Sequence, residues 1–215
     1  MQLQHPFGVV TSTVDGDVLS VLARVDSHFT VAQLQTLIPD RSPVGIRNSL
    51  ARLSQQGIVT PHRVGRSLAF SLNPDHLAAE AIRQIASLKS ALVARLHAEV
   101  SGWTILPVFG ALFGSAARDE MRQDSDIDIF LVRPEDASDE AWSADVAQLA
   151  EDATRWTGND ARIIDVTDQD VLSTPLTPLF REIAEQGIVF AGEVDWLRRA
   201  LREGTMNDSE SSPNQ

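Results

Sequence analysis

Residues 126–132 read Asp-Ile-Asp-Ile-Phe-Leu-Val, two carboxylates set one residue apart inside a run that is otherwise apolar. Such a run is a strand, and strand side chains alternate with a period of two. Asp126 and Asp128 therefore converge on one side, while Ile127 and Ile129 face a core. Two like charges crowded together call for a divalent cation or a proton. One or two carboxylates completed by water and substrate phosphates suit Mg2+ (or Mn2+).

The residues just upstream supply a place for those phosphates. The apolar stretch ILPVFGALF ends at Gly114-Ser115, where a strand passes into a helical turn. A glycine there lets the backbone come close to a ligand, and a helix start presents free N–H groups to an anion. Ser115 adds a hydroxyl, Arg118 is a candidate for charge neutralisation, and Ser125 opens the Ser-Asp-x-Asp run. Together these residues describe a site for a nucleoside triphosphate with its metal.

At this spacing GSAARDEMRQDSDIDIFLV resembles the signature of the minimal nucleotidyltransferase branch of the polymerase-beta-like superfamily, over roughly residues 103–192. The resemblance implies that Gly114 and Ser115, with Arg118 and Ser125, hold the nucleotide, and that Asp126 and Asp128 hold the metal. It also implies in-line attack of a hydroxyl on the α-phosphorus, with pyrophosphate leaving. Relatives carry a third carboxylate on the next strand, about three residues after a Gly-Asn turn. Counted from Gly158-Asn159, that position is Arg162. Asp165 lies in the same strand with opposite parity and reaches the pair only through a bulge. Asp160 has the right parity but sits at the strand's start. Asp165 is the expected third catalytic residue.

Length and charge set the wider frame. With 215 residues and 43% hydrophobic content the chain can bury a core in each of two domains. It has no cysteine, which excludes disulfides, thiolate metal sites and cysteine nucleophiles. No basic leader and no apolar stretch near about 18 residues is present, so a soluble cytoplasmic protein without a membrane segment is expected. The net charge of −12 is uneven: residues 1–73 carry six arginines against four aspartates, and Arg41, Arg47, Arg52, Arg63 and Arg66 fall in a stretch without a single acid. A local excess of arginine is what phosphate contact needs.

Helical periodicity over DGDVLSVLARV, TVAQLQTLI and VGIRNSLARLSQQ, with Thr30 and Ser42 as caps, precedes two short strands joined around Val64-Gly65-Arg66. Val18, Leu19, Leu22 and Val25 face inward on the first helix, and Val44, Ile46, Leu50 and Leu53 on the third. Three helices and a hairpin in that order resemble the winged helix-turn-helix family, which implies double-stranded DNA as a partner. Residues 74–102 read as one long linking helix suited to a homodimer surface, with Leu77 in its apolar stripe.

The expected layout is α+β. A winged helix-turn-helix spans 1–73 and the linking helix 74–102. A nucleotidyltransferase fold, a small mixed sheet flanked by helices, spans 103–204, and a disordered tail follows at 205–215. Four tryptophans and five histidines show core or surface placement rather than metal spacing. Two classes of function stay open at this point. One is an enzyme that nucleotidylates a macromolecular acceptor. The other is a transcriptional regulator whose nucleotidyltransferase-fold domain senses nucleotide, or serves as a scaffold, without chemistry. By the resemblance alone, a partner toxin is a further candidate acceptor, since relatives include antitoxins.

Overall fold

The computed structural model describes residues 1–135, 137, 139–173 and 178–210. The chain divides into two compact units, one from Leu3 to Lys89 and one from Ser90 onward.

The first unit opens with a 3-10 turn (Pro6–Val9) and α1 (Val14–Arg24), whose Val18, Leu19 and Leu22 are buried. Val25, expected on that face, is instead extended, past the helix end, and exposed. β1 (Phe29–Thr30) runs into α2 (Val31–Leu37) through a reciprocal cap: the Gln33 N–H donates to Thr30 Oγ1 and the Thr30 N–H donates to Gln33 Oε1. At α3 (Pro43–Gln55) the Gly45 N–H donates to Ser42 Oγ, and Pro43 takes the first position, where its missing N–H costs nothing. Ile46, Leu50 and Leu53 are buried. Val44 is exposed, contrary to expectation, because two residues from Ile46 is about 200° round a helix.

β2 (Val59–Val64) and β3 (Ser67–Leu72) pair antiparallel, Val64 opposite Ser67. Their two-residue turn needs a positive φ at its first position, and Gly65 has φ 60°. β1 joins the other side of β3, giving the order β1-β3-β2. A two-residue strand carries no periodicity, which is why only the hairpin is readable in the sequence. Val18, Leu22, Leu34, Ile46, Leu50, Val59 and Leu72 form one core, closed by Ile82 and Ala86 of α4 (Ala79–Ala86).

Residues 74–102 are not one helix. α4 is followed by α5 (Leu88–Val100), and Leu77 precedes both and is exposed. Ser87 makes the break: its N–H bonds the carbonyls of Arg83 and Gln84, and its hydroxyl donates to Gln84 O at 3.1 Å. A serine that bonds the preceding turn competes with the helical ladder. The division between the two units falls beside this break, inside the expected linker rather than at its ends.

In the second unit α5 buries Leu92, Leu96 and Val100. β4 (Phe109–Phe113), α6 (Gly114–Ala117), β5 (Ile127–Arg133), α7 (Asp139–Thr157), β6 (Ala161–Thr167), α8 (Asp168–Ser173), α9 (Pro178–Gln186), β7 (Ile188–Gly192) and α10 (Trp196–Glu210) follow. The sheet order is β6-β5-β4-β7, with β5 and β6 parallel and the other pairs antiparallel. This is an α+β unit with a mixed sheet flanked by helices. On one face Phe109, Ala111, Phe130 and Val132 pack with Phe180, Ile183 and Leu197 from α9 and α10. Ile127, Ile129 and Leu131 point to the other face and are fully buried.

The sequence expectation missed α8. Thr167 and Asp170 set it up: the Thr167 N–H donates to Asp170 Oδ2 at 2.9 Å, and the Asp170 N–H donates to Thr167 Oγ1 at 3.0 Å. Hydrogen bonding to its carboxyl by the Thr167 backbone N–H first, and by the Thr167 side chain second, holds Asp170 below its ordinary range. α10 extends to Glu210, so the tail expected from 205 begins as helix, with no proline to stop it before Pro213. Residues 211–215, together with Asp136 and Ser138 of the acidic run before α7 and 174–177 before α9, lie outside the described residues. Among the described residues no helix is long and apolar enough to cross a membrane.

Candidate functional site

β4 delivers the chain to Gly114, which holds φ 66°, a conformation natural to glycine alone. A Cβ built there would lie 2.4 Å from Asp128 Oδ2 and 3.2 Å from its Cγ. The β4–β5 register puts Phe113 opposite Asp128, so the Gly114 backbone and the Asp128 carboxylate meet at one corner of the sheet. Ser115 is half-buried beside them, and its hydroxyl makes no hydrogen bond among the described residues.

Asp126 lies just before β5, not inside it, because β5 starts at Ile127, whose N–H donates to Asp160 O at 2.8 Å. Parity still puts Asp126 and Asp128 on one side. Asp128 is half-buried, and no hydrogen bond or ion pair closes on its carboxylate among the described residues. Burial first, and the Asp126 charge second, push its carboxyl above the ordinary value; Arg162 and Arg118 pull it down, and Glu182 adds to the rise.

The strand after α7 brings a cation to this face, not a third acid. β6 pairs parallel with β5, with Arg162 opposite Asp128 and Asp165 opposite Leu131. Arg162 Nη1 lies 2.7 Å from Asp126 Oδ2, and Arg162 Nε lies 3.3 Å from Asp160 Oδ2. The paired strand shows no bulge between these residues, so Asp165 keeps the opposite parity. It accepts a 3.0 Å hydrogen bond from Trp142 Nε1 of α7 on the far face. The expectation of Asp165 as a catalytic carboxylate is therefore corrected: it anchors α7 to the sheet. Asp160 reaches the site only as a partner of Arg162.

Arg118, expected to meet phosphate, is paired with Glu120 at 2.9 Å and with Glu182 of α9. The Glu120 hydrogen bond is the main cause that raises its pKa. Glu182 was not singled out in the sequence, since nothing in PLFREIAEQG marks one glutamate of an amphipathic helix from another. Ser125 serves its own turn: its Oγ accepts from the Arg122 N–H at 2.7 Å, and its carbonyl accepts from Asn159 Nδ2 at 2.7 Å.

The donor set can be tested against the metal. For one Mg2+ it fits: Asp128 is an unsatisfied carboxylate beside Asp126, with a glycine backbone and a free hydroxyl adjoining. For two it does not, because Asp126 already has a guanidinium partner, and no three acids or histidines among the described residues gather closely enough to hold a metal by themselves.

In the first unit the five arginines separate into two groups. Arg41 Nε donates to Asp17 Oδ2 at 2.6 Å, and Arg52 forks onto Asp15, which Ser49 also bonds at 2.5 Å. These two, expected at DNA phosphates, are engaged within the unit, fastening α1 to α3 and to the loop before it. Arg47, Arg63 and Arg66 are exposed and make no ion pair among the described residues. Arg47 and Arg66 border a cleft of about 690 Å³ between the start of α2, α3 and the hairpin, with Val31, Pro61 and Phe70 among its other walls.

Residues 107–186 match the nucleotidyltransferase domain family. The matched segment runs from the approach to β4 to the end of α9 and contains every residue of the acidic corner described above. The α+β unit with its mixed sheet fits a nucleotidyltransferase fold. Among solved structures the chain is similar to a toxin-antitoxin complex with AMP-PNP, at 19% identity over 56% of this chain and 86% of that one, TM-score 0.37. It is also similar to the MNT antitoxin complex with tri-AMPylated Shewanella oneidensis HEPN toxin, at 14% identity over 57% and 87%, TM-score 0.37. A third is a MntA-HepT toxin-antitoxin complex, at 18% identity over 58% and 87%, TM-score 0.35. At such likeness partners and substrates do not transfer. No curated protein is significantly similar to the chain.

Proposed function

We propose that the second unit binds a nucleoside triphosphate, ATP favoured, and transfers its nucleotidyl group to a macromolecular hydroxyl with release of pyrophosphate. The first unit, in this reading, is a winged helix-turn-helix that docks on duplex DNA. The observation that carries the first half is the closure of Gly114 onto Asp128, inside the segment that matches the nucleotidyltransferase domain family. It joins a backbone that a phosphate can approach to a carboxylate that takes no hydrogen bond among the described residues.

Asp128, with the Arg162-paired Asp126 beside it, would hold one Mg2+ or Mn2+, which supplies charge neutralisation at the phosphates. The Gly114 and Ser115 backbone with the Ser115 hydroxyl orients the triphosphate. The new bond joins the acceptor oxygen to the α-phosphorus, the bond from that phosphorus to the pyrophosphate oxygen breaks, and the acceptor's hydroxyl proton passes to solvent. Catalysis here is positioning and electrostatics rather than a covalent enzyme step. Arg47, Arg63 and Arg66 supply the DNA-facing charge of the first unit.

A second reading is favoured by one observation, the Arg162–Asp126 ion pair. If that pair closes the site to chemistry, the second unit is a nucleotide sensor or scaffold in a transcriptional regulator. Incubation with α-labelled NTPs, Mg2+ and a cell lysate separates the two. Label on a macromolecule, lost in Asp128→Asn, supports transfer; nucleotide binding without any transfer supports the sensor.

A further inference from the structure

The acidic corner around Asp128 carries a cation of its own, supplied by the chain: Arg162. Arg162 is opposite Asp128 in the β5–β6 register, on the same face, and its head is held at two points, Nη1 on Asp126 and Nε on Asp160. A guanidinium has five N–H donors. Nε is hydrogen-bonded to Asp160 and Nη1 is ion-paired with Asp126, so N–H groups remain for a ligand, and the side chain is 63% exposed. Asp126 and Asp160 hold the guanidinium on this face before any ligand arrives, which lowers the entropy cost of an arginine contact. Asp128, by contrast, keeps both oxygens without a hydrogen-bond partner among the described residues.

We propose that the Arg162 guanidinium is a tethered second cation: it neutralises Asp126, donates its remaining N–H groups to the triphosphate, and leaves Asp128 to anchor a single exchangeable divalent ion. This rests on the nucleotide reading above and sharpens it to one metal per nucleotide. A forked guanidinium suits phosphate oxygens geometrically and charge for charge. It also explains why the face carries an arginine at the position where a third ligand would close a second metal site: a carboxylate there would add a third negative charge to a corner that already raises Asp128.

The test counts metal ions. The full chain is titrated with Mn2+ in the presence of a non-hydrolysable ATP analogue, with bound Mn2+ read by electron paramagnetic resonance and bound nucleotide by calorimetry. One Mn2+ per bound nucleotide is expected, and two would overturn the proposal while leaving the nucleotide reading intact. Absence of nucleotide binding at any Mn2+ concentration would remove both. In Arg162→Asp, Mn2+ alone should bind roughly ten- to a hundredfold more tightly than in the wild type, because a positive neighbour becomes a negative one. A second Mn2+ should then appear with nucleotide. Unchanged Mn2+ affinity in a variant with wild-type circular dichroism would contradict the proposal; if that variant does not fold, the wild-type count decides alone.

Discussion

Asp128 stands where a Gly114 side chain would be, its Oδ2 2.4 Å from the position a Cβ would take. Gly114 also holds φ 66°, so a substitution meets backbone strain and a clash together. Gly114→Ala should lower stability by about 1–3 kcal/mol and swing the Asp128 carboxylate out of the corner. Metal-dependent NTP binding should fall with it while the helical circular dichroism stays. Calorimetry of the folded variant decides the matter: binding equal to wild type would mean that the glycine serves the turn and not the site.

The Asp128 carboxyl is harder to ionise in the folded unit than in the unfolded chain, because burial first and the Asp126 charge second raise it, against a smaller pull from Arg162 and Arg118. A carboxyl raised on folding contributes stability at low pH that is lost as pH rises through its folded value. At neutral pH in chelator, Asp128→Asn should therefore melt higher than wild type, by roughly 1–3 °C once solvent screening of a half-exposed group is allowed for. The gap should close as pH falls and the wild-type carboxyl takes up its proton. Mg2+ should reverse the order with nucleotide present. A variant that melts lower in chelator would show that the ionised carboxylate is already satisfied.

Much of the corner was legible because its residues are close in sequence and carry strong local rules. Gly114 at a strand end, and two acids in one apolar run, follow from backbone freedom and a period of two. Arg162 and Asp165 were legible as alternatives, since parity alone opposes them, and only the β5–β6 register showed which one faces Asp128. Glu182 was not legible at all: it reaches Arg118 across 64 residues of chain. The winding of 74–102 misled because apolar spacing runs through Ser87 without a visible stop, while the serine hydroxyl bonds its own preceding turn. β1 and α8 were too short for any periodic signal.

Asp165 should behave as a structural residue. Its carboxylate takes the Trp142 indole N–H on the face opposite Asp128, so Asp165→Ala leaves that donor without its bond and loosens α7. A cost of about 0.5–1.5 kcal/mol is expected, seen as a lower midpoint in urea unfolding. NTP affinity and any label transfer per folded molecule should be unchanged. Loss of transfer with NTP binding intact would restore Asp165 as the acceptor's base and require β6 to shift register.

The arginines of the first unit give a prediction in which two pairs of substitutions part company. Arg41 and Arg52 are held by Asp17 and Asp15, so their removal acts on the fold. Arg41→Ala and Arg52→Ala should each lower stability by about 0.2–1 kcal/mol, as partly exposed pairs do, with modest effect on DNA affinity. Arg63 and Arg66 flank Gly65 at the hairpin turn, exposed and without ion-pair partners among the described residues, and Arg47 faces out from α3. Each of Arg63→Ala and Arg66→Ala should leave the melting point alone, weaken duplex binding similarly on all sequences, and reduce the salt slope by about one. Arg47→Ala should also change which sequences are preferred, since a helix that enters a groove reads base edges as well as phosphates. Fluorescence anisotropy of the full chain on several duplexes across a salt series measures all five variants. Binding that is insensitive to salt in the wild type, or equally weakened by all five, would remove DNA from the reading of this unit.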